Sequence, residues 1–106
     1  MIKPIPCIVA SLCLFAVSAV NAAEHEVIIE QYAYSPAELE IAIGDTVTWI
    51  NREKRTSHSI ILLGSGEESE RLFPDERWSK DFDEAGRFEY RCGPHPEMKG
   101  SIIVKP

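Results

Sequence analysis

Along most of the chain, apolar and polar residues alternate with a period of two. That period places successive side chains on opposite faces of an extended backbone. Leu39, Ile41 and Ile43 alternate with Glu38, Glu40 and Ala42, and Gly44-Asp45 then turns the chain into Thr46-Val47-Thr48-Trp49-Ile50. The segment predicts strand, turn, strand. His25 to Tyr34 predicts an earlier strand rich in Val, Ile and Tyr, closed by Ser35-Pro36. Ser59 to Leu63 is a short apolar run, and Gly64 to Glu70 reads as a polar loop. Trp78 to Phe82 predicts a strand, Asp83-Glu84-Ala85-Gly86 a turn, and Phe88 to Cys92 a strand with Phe88, Tyr90 and Cys92 on one face. Ser101 to Lys105 predicts the last strand. The acidic stretch Glu67 to Arg71 leaves room for a helical turn, but no segment has a convincing helical period. Short strands at this spacing predict an all-β fold, either an antiparallel sandwich or a small Greek-key barrel. Trp49, Trp78, Phe82 and Phe88 are assigned to its core.

The first residues break this pattern. Lys3 gives a short basic start, Cys7 to Val20 is almost wholly apolar, and Val20-Asn21-Ala22 offers a small-residue cleavage site. Residues 1–22 therefore read as a secretory signal peptide, leaving one domain over residues 23–106. The apolar stretch is shorter than the roughly 20 residues of a spanning helix. Pro6 and Leu12, which precede Cys7 and Cys13, do not suit a lipoprotein cleavage site. The expectation is a soluble periplasmic protein that is not membrane-embedded. With 17 acidic against 11 basic residues, the charge argues against nucleic acid as a partner. After cleavage Cys92 is the only cysteine, so no disulfide within the chain braces the domain. Stability has to come from a compact core or from a metal.

The segment Cys92-Gly93-Pro94-His95-Pro96-Glu97-Met98-Lys99-Gly100 places three possible metal ligands within seven residues. Pro94 and Pro96 exclude a helix, and a regular strand would point Cys92 and His95 to opposite faces. A tight loop remains, with a thiolate, an imidazole and a thioether facing one point. Soft thiolate and thioether donors with imidazole suit copper, and two His with one Cys and a weak axial Met is the electron-transfer arrangement. A structural zinc site would draw on more cysteines. The second imidazole comes from elsewhere. His58 follows the strand end Trp49-Ile50-Asn51, which a sandwich brings beside the Cys92 strand, whereas His25 lies near the new N-terminus. The ligand set read here is His58, Cys92, His95 and Met98. Each alone has a blander reading: a small buried hydrophobe for the cysteine, core packing for Met98, a surface polar residue for His58. Their weight comes from the constellation. Lys54, Arg55, Glu67, Glu68 and Glu70 read as solvated loop charges. Ala23-Glu24-His25 would offer an amine, two amides and an imidazole to Cu(II) after cleavage at Ala22, but a strand-edge histidine is the favoured reading.

Gly44 to Glu53, the loop histidine, Gly86 to Cys92 and the Cys-x-x-His-x-x-Met loop together resemble the amicyanin-like branch of the plastocyanin-like cupredoxins. The resemblance runs over nearly all of the chain after the leader. It implies a Greek-key β-sandwich holding one type 1 copper that cycles between Cu(I) and Cu(II), with His58, Cys92 and His95 equatorial and Met98 axial. It further implies an electron carrier, not an enzyme, with redox proteins as partners, a c-type cytochrome and an amine dehydrogenase among them, docking transiently on a monomer near His95. The docking patch is read as Pro94, Pro96, Phe73 and Pro74. By the same resemblance, His95 takes a proton in the reduced state. Two departures stand out. Ser57-His58-Ser59 replaces the family's Pro-His-Asn, so the asparagine that bonds across the site becomes Ser59, with a weaker tie expected. Glu97 replaces an aromatic residue on the rim. The alternative function is a periplasmic protein that buffers or delivers copper with the same ligands. A multi-copper oxidase or nitrite reductase would need more domains and more histidines.

Overall fold

The computed structural model describes residues 22–106. The predicted signal peptide falls almost entirely outside the described residues. The alternating segments form eight strands: β1 Glu24–Glu30, β2 Ala33–Ser35, β3 Glu38–Ala42, β4 Thr46–Asn51, β5 Ile61–Leu62, β6 Arg77–Asp81, β7 Gly86–Arg91 and β8 Lys99–Lys105. They build two four-stranded sheets, in the orders β2-β1-β4-β6 and β3-β8-β7-β5. Val27 and Ile29 of β1, Val47 and Trp49 of β4, Tyr90 of β7, and Ile102 and Val104 of β8 are all buried in one cluster. Where a strand supplies two of them they are two apart, so one face of each sheet is apolar and the two faces close on each other. Trp49 and Phe82 are buried, with Trp78 and Phe88 packed against the same cluster. The core assignment of the four aromatic residues holds.

The sheets are mixed rather than purely antiparallel. β1 pairs with β4 in parallel, and β3 pairs with β8 in parallel. The cause is the corner at Gly44-Asp45: β3 belongs to one sheet and β4 to the other. The turn between them crosses the sandwich and does not close a hairpin. Asp45 locks this corner. Its buried carboxylate accepts from Ala42 N–H at 2.9 Å and Ala23 N–H at 3.0 Å, and lies 2.9 Å from His25 Nε2. His25, near the start of β1, pairs with Val47 of β4, and its ring is engaged by Asp45.

The predicted strand from His25 to Tyr34 is in fact a hairpin. The chain reverses at Gln31 and Tyr32, both with positive φ, 52° and 56°, and Glu30 pairs with Ala33 across a two-residue loop. Left-handed conformation at both loop positions matches the twist of the flanking strands. No Gly or Asn marks the turn, so composition gave no sign of it. The stretch Glu67 to Arg71 takes no helical turn: Glu68 bridges Ile61, and Ser69 N–H donates to Ile60 O at 2.9 Å. Among the described residues, no helix is long and apolar enough to cross a membrane.

Candidate metal centre

The site lies where β4 and β7 end. Asn51, the last residue of β4, is fully buried, and its side chain organises the loop that follows. Its amide donates to Thr56 O at 2.8 Å and Leu72 O at 2.9 Å, while its oxygen accepts from Glu53 N–H at 2.9 Å. Two of these bonds shape residues 52–57, which deliver His58, and the third ties Asn51 to Leu72, the residue that bridges His58. His58 then exchanges two backbone bonds with Leu72, at 3.0 and 2.8 Å. The second loop leaves β7 at Cys92. Cys92 N–H donates to Met98 O at 3.0 Å and Met98 N–H to His95 O at 2.9 Å. These two bonds fold the loop back on itself, and Pro94 and Pro96 fix the backbone on either side of His95.

The two loops bring His58, Cys92 and His95 together, with one donor atom from each inside a mutual distance of 4.8 Å. The two Nδ1 atoms are 3.2 Å apart, and Cys92 Sγ lies 3.6 Å from each. A point about 2 Å from all three atoms sits at the centre of this triangle, close to first-row metal bond lengths to nitrogen and sulfur. Two imidazoles and a thiolate in a plane fit copper of the type 1 kind. His58 and Cys92 are fully buried, Met98 is buried at the loop's end, and His95 is half-buried, the one donor residue that reaches the surface.

The surroundings prepare these donors. Burial holds the His58 imidazole below its ordinary range, which keeps it neutral with a lone pair available. The Glu53 carboxylate opposes that shift, with Oε2 3.6 Å from Nε2, beyond hydrogen-bond distance, so the buried Nε2 has no hydrogen-bond partner among the described residues. Ser59 N–H points at Cys92 Sγ from 3.4 Å. The Ser59 hydroxyl also spans the two loops, accepting from Gly93 N–H at 3.0 Å and donating to Glu68 Oε2 at 3.0 Å. The serine therefore makes the cross-loop tie for which the sequence suggested a weaker substitute. Glu68 is part of that tie and is not only a solvated charge.

Tyr32 escaped the sequence reading. Its ring stands edge-on to both histidines, with centroids 5.6 Å from His58 and 5.0 Å from His95. The hydroxyl lies 3.2 Å from Thr56 Oγ1 and the backbone N–H donates to Glu53 Oε1 at 3.2 Å. One signal was available: Gln31 occupies a position that strict alternation after Val27 and Ile29 would bury. Of the surface residues read as a patch, Phe73, Pro94 and Pro96 are exposed and Pro74 is half-buried, and Glu97 is exposed.

Comparison with known proteins agrees with this geometry. A family model described as Cupredoxin-like domain matches residues 5–104. Amicyanin of Paracoccus denitrificans is 37% identical over 81 residues, covering 73% of this chain and 62% of that protein. Amicyanin-alpha of Methylorubrum extorquens is 32% identical over 100 residues, covering 91% of this chain and 84% of that protein. Among solved structures, the Cu(I) form of a methionine-to-alanine variant of amicyanin superposes with a TM-score of 0.74 at 33% identity, over 86% of this chain and 90% of that one. A copper-containing nitrite reductase from Thermus scotoductus gives a TM-score of 0.74 at 25% identity, but this chain covers 22% of it. The chain thus spans about three fifths of the Paracoccus relative it matches. On its sheets, its donor triangle and these matches, the chain belongs to the cupredoxin-like family and is similar to its amicyanin members.

Proposed function

We propose that this protein is a blue-copper electron carrier, with His58, Cys92 and His95 as equatorial ligands and Met98 as the axial one. The observation that carries the reading is the triangle of two Nδ1 atoms and one Sγ, at 3.2 and 3.6 Å, in a loop whose buried Met98 accepts at its carbonyl from Cys92 N–H. Copper, when bound, supplies a one-electron cycle between Cu(I) and Cu(II). The chain supplies rigidity. Asn51 fixes one loop, the Cys92–Met98 backbone bond closes the other, and Ser59 joins the two. Loops with few alternative conformations keep the donor positions alike in both oxidation states. Four protein donors leave no position open for a substrate, which supports transfer of electrons and not catalysis on a molecule.

His95 is the natural port, because it alone among the four is half-exposed. Phe73, Pro94 and Pro96 offer apolar surface to a transient partner, and Glu97 adds an acidic group. The amicyanin likeness supports redox proteins as partners, a c-type cytochrome and a dehydrogenase among them, and export to the periplasm through the leader at residues 1–22. Addition of Cu(II) to the purified protein tests the reading. An intense blue thiolate-to-copper band with narrow electron-spin hyperfine splitting is expected, and Cys92→Ser should lack both. A colourless complex in the unaltered protein would refute it. Retention of copper through repeated reduction and reoxidation separates the carrier from a protein that delivers the metal to an acceptor.

A further inference from the structure

The peptide group joining Cys92 to Gly93 is held at both of its polar ends. Its carbonyl accepts from Arg91 Nη1 at 2.9 Å. Its N–H donates to Ser59 Oγ at 3.0 Å. A serine hydroxyl has a single proton to give, and this one goes to Glu68 Oε2 at 3.0 Å. With the proton committed to the carboxylate, the oxygen's lone pairs are left facing Gly93 N–H. Glu68 cannot drift far, because the Ile61–Glu68 bridge and the Ser69-to-Ile60 backbone bond fasten its segment to the chain leaving His58. The approach also depends on glycine: a Cβ at residue 93 would lie 2.6 Å from both Glu68 Oε2 and Ser59 Oγ.

Building on the copper reading above, we propose that Glu68 and Arg91 are positioning residues that clamp the Cys92–Gly93 peptide from opposite ends with opposite charges. The clamp holds the thiolate beside Ser59 N–H and sets the redox potential of the centre. A carboxylate near the metal favours the more positive Cu(II), while a guanidinium favours Cu(I). The two residues therefore pull the potential in opposite directions. Glu68 is exposed as a residue, so solvent ions damp its field and the effect is larger at low ionic strength.

Copper-loaded Glu68→Gln, Glu68→Ala and Arg91→Gln proteins, compared with the unaltered one by spectroelectrochemistry and electron-spin resonance, test the proposal. Glutamine keeps an acceptor for the Ser59 proton but removes the charge, so Glu68→Gln should raise the potential with its spin spectrum unchanged. Arg91→Gln should lower it. Both shifts should shrink as salt is added. Glu68→Ala frees the hydroxyl to rotate and should alter the hyperfine splitting. Amide hydrogen exchange in the metal-free protein reads the clamp separately: Gly93 N–H should exchange at least tenfold faster in Glu68→Ala and near the unaltered rate in Glu68→Gln. Equal potentials in the unaltered and Glu68→Gln proteins would overturn the electrostatic role, and unchanged Gly93 exchange in Glu68→Ala would overturn the clamp. If the unaltered protein forms no blue centre, the carrier reading fails by itself and Gly93 exchange still decides the clamp.

Discussion

One buried hydroxyl shows how single residues hold the donor loops. Tyr34 donates to Ser59 O at 2.6 Å, the carbonyl of the residue just after His58. Burial, and after it the nearby Cys92, pushes its phenol well above the ordinary range, so it remains a donor at every ordinary pH. Tyr34→Phe leaves the Ser59 carbonyl without that partner and should cost about 1–3 kcal/mol, measured by urea unfolding. Asp45 carries a pH dependence instead. The Ala42 N–H first, then His25 and the Ala23 N–H, hold its carboxyl below the usual carboxylate range. In acid the unfolded chain therefore binds this proton before the folded one does. The contribution is fully present above the unfolded Asp value of about 3.9, and it is lost as pH falls through the lower folded value. Unfolding midpoints measured from about pH 6 down to pH 2 should show a flatter acid limb in Asp45→Asn than in the unaltered protein.

Among the strands, β7 and β8 show how tightly the elements fit. Gly100 pairs with Tyr90 across the two strands, and any Cβ at residue 100 would overlap the Tyr90 phenol. That ring is buried against Trp49, with centroids 5.3 Å apart, and burial pushes its hydroxyl up to about 12. Gly100→Ala should destabilise the fold by about 1–3 kcal/mol through overpacking, read as a lower urea midpoint with an unchanged slope. Strands β3, β4, β7 and β8 were legible because each carries apolar residues two apart: Leu39 and Ile41, Val47 and Trp49, Phe88 and Tyr90, Ile102 and Val104. The β1–β2 hairpin was not, because Gln31 and Tyr32 take left-handed backbone conformations without the Gly or Asn that usually marks them. Nor was the parallel pairing of β1 with β4, because it joins segments separated by two strands of the chain.

At the scale of the molecule, the described domain has a free, buried Cys92 and no disulfide among its described residues. A ligand that binds the folded chain and not the unfolded one therefore has a direct effect on stability. Copper at about 1,000 times its dissociation constant should add about 4 kcal/mol. For a domain of this size, each kcal/mol raises Tm by about 4–8 °C. Calorimetry with and without copper should show that rise, and Cys92→Ser should lose it.

The composition of the ligand loop settled much in advance: a thiolate, an imidazole flanked by prolines and a thioether constrain backbone and metal chemistry together, because they act over seven adjacent residues. The period-two pattern settled the all-β class for a similar reason, since alternation is local. The position of His58 after a strand end already pointed to the ligand loop, and what folding alone decided is the geometry by which distant segments meet. The approach of His58 Nδ1 to Cys92 Sγ, the edge-on ring of Tyr32, and the union of Ser59 with Glu68 and Gly93 arise only when two sheets close and bring separate loops to one end. Such contacts depend on pairing and packing between strands, which no stretch of sequence encodes by itself.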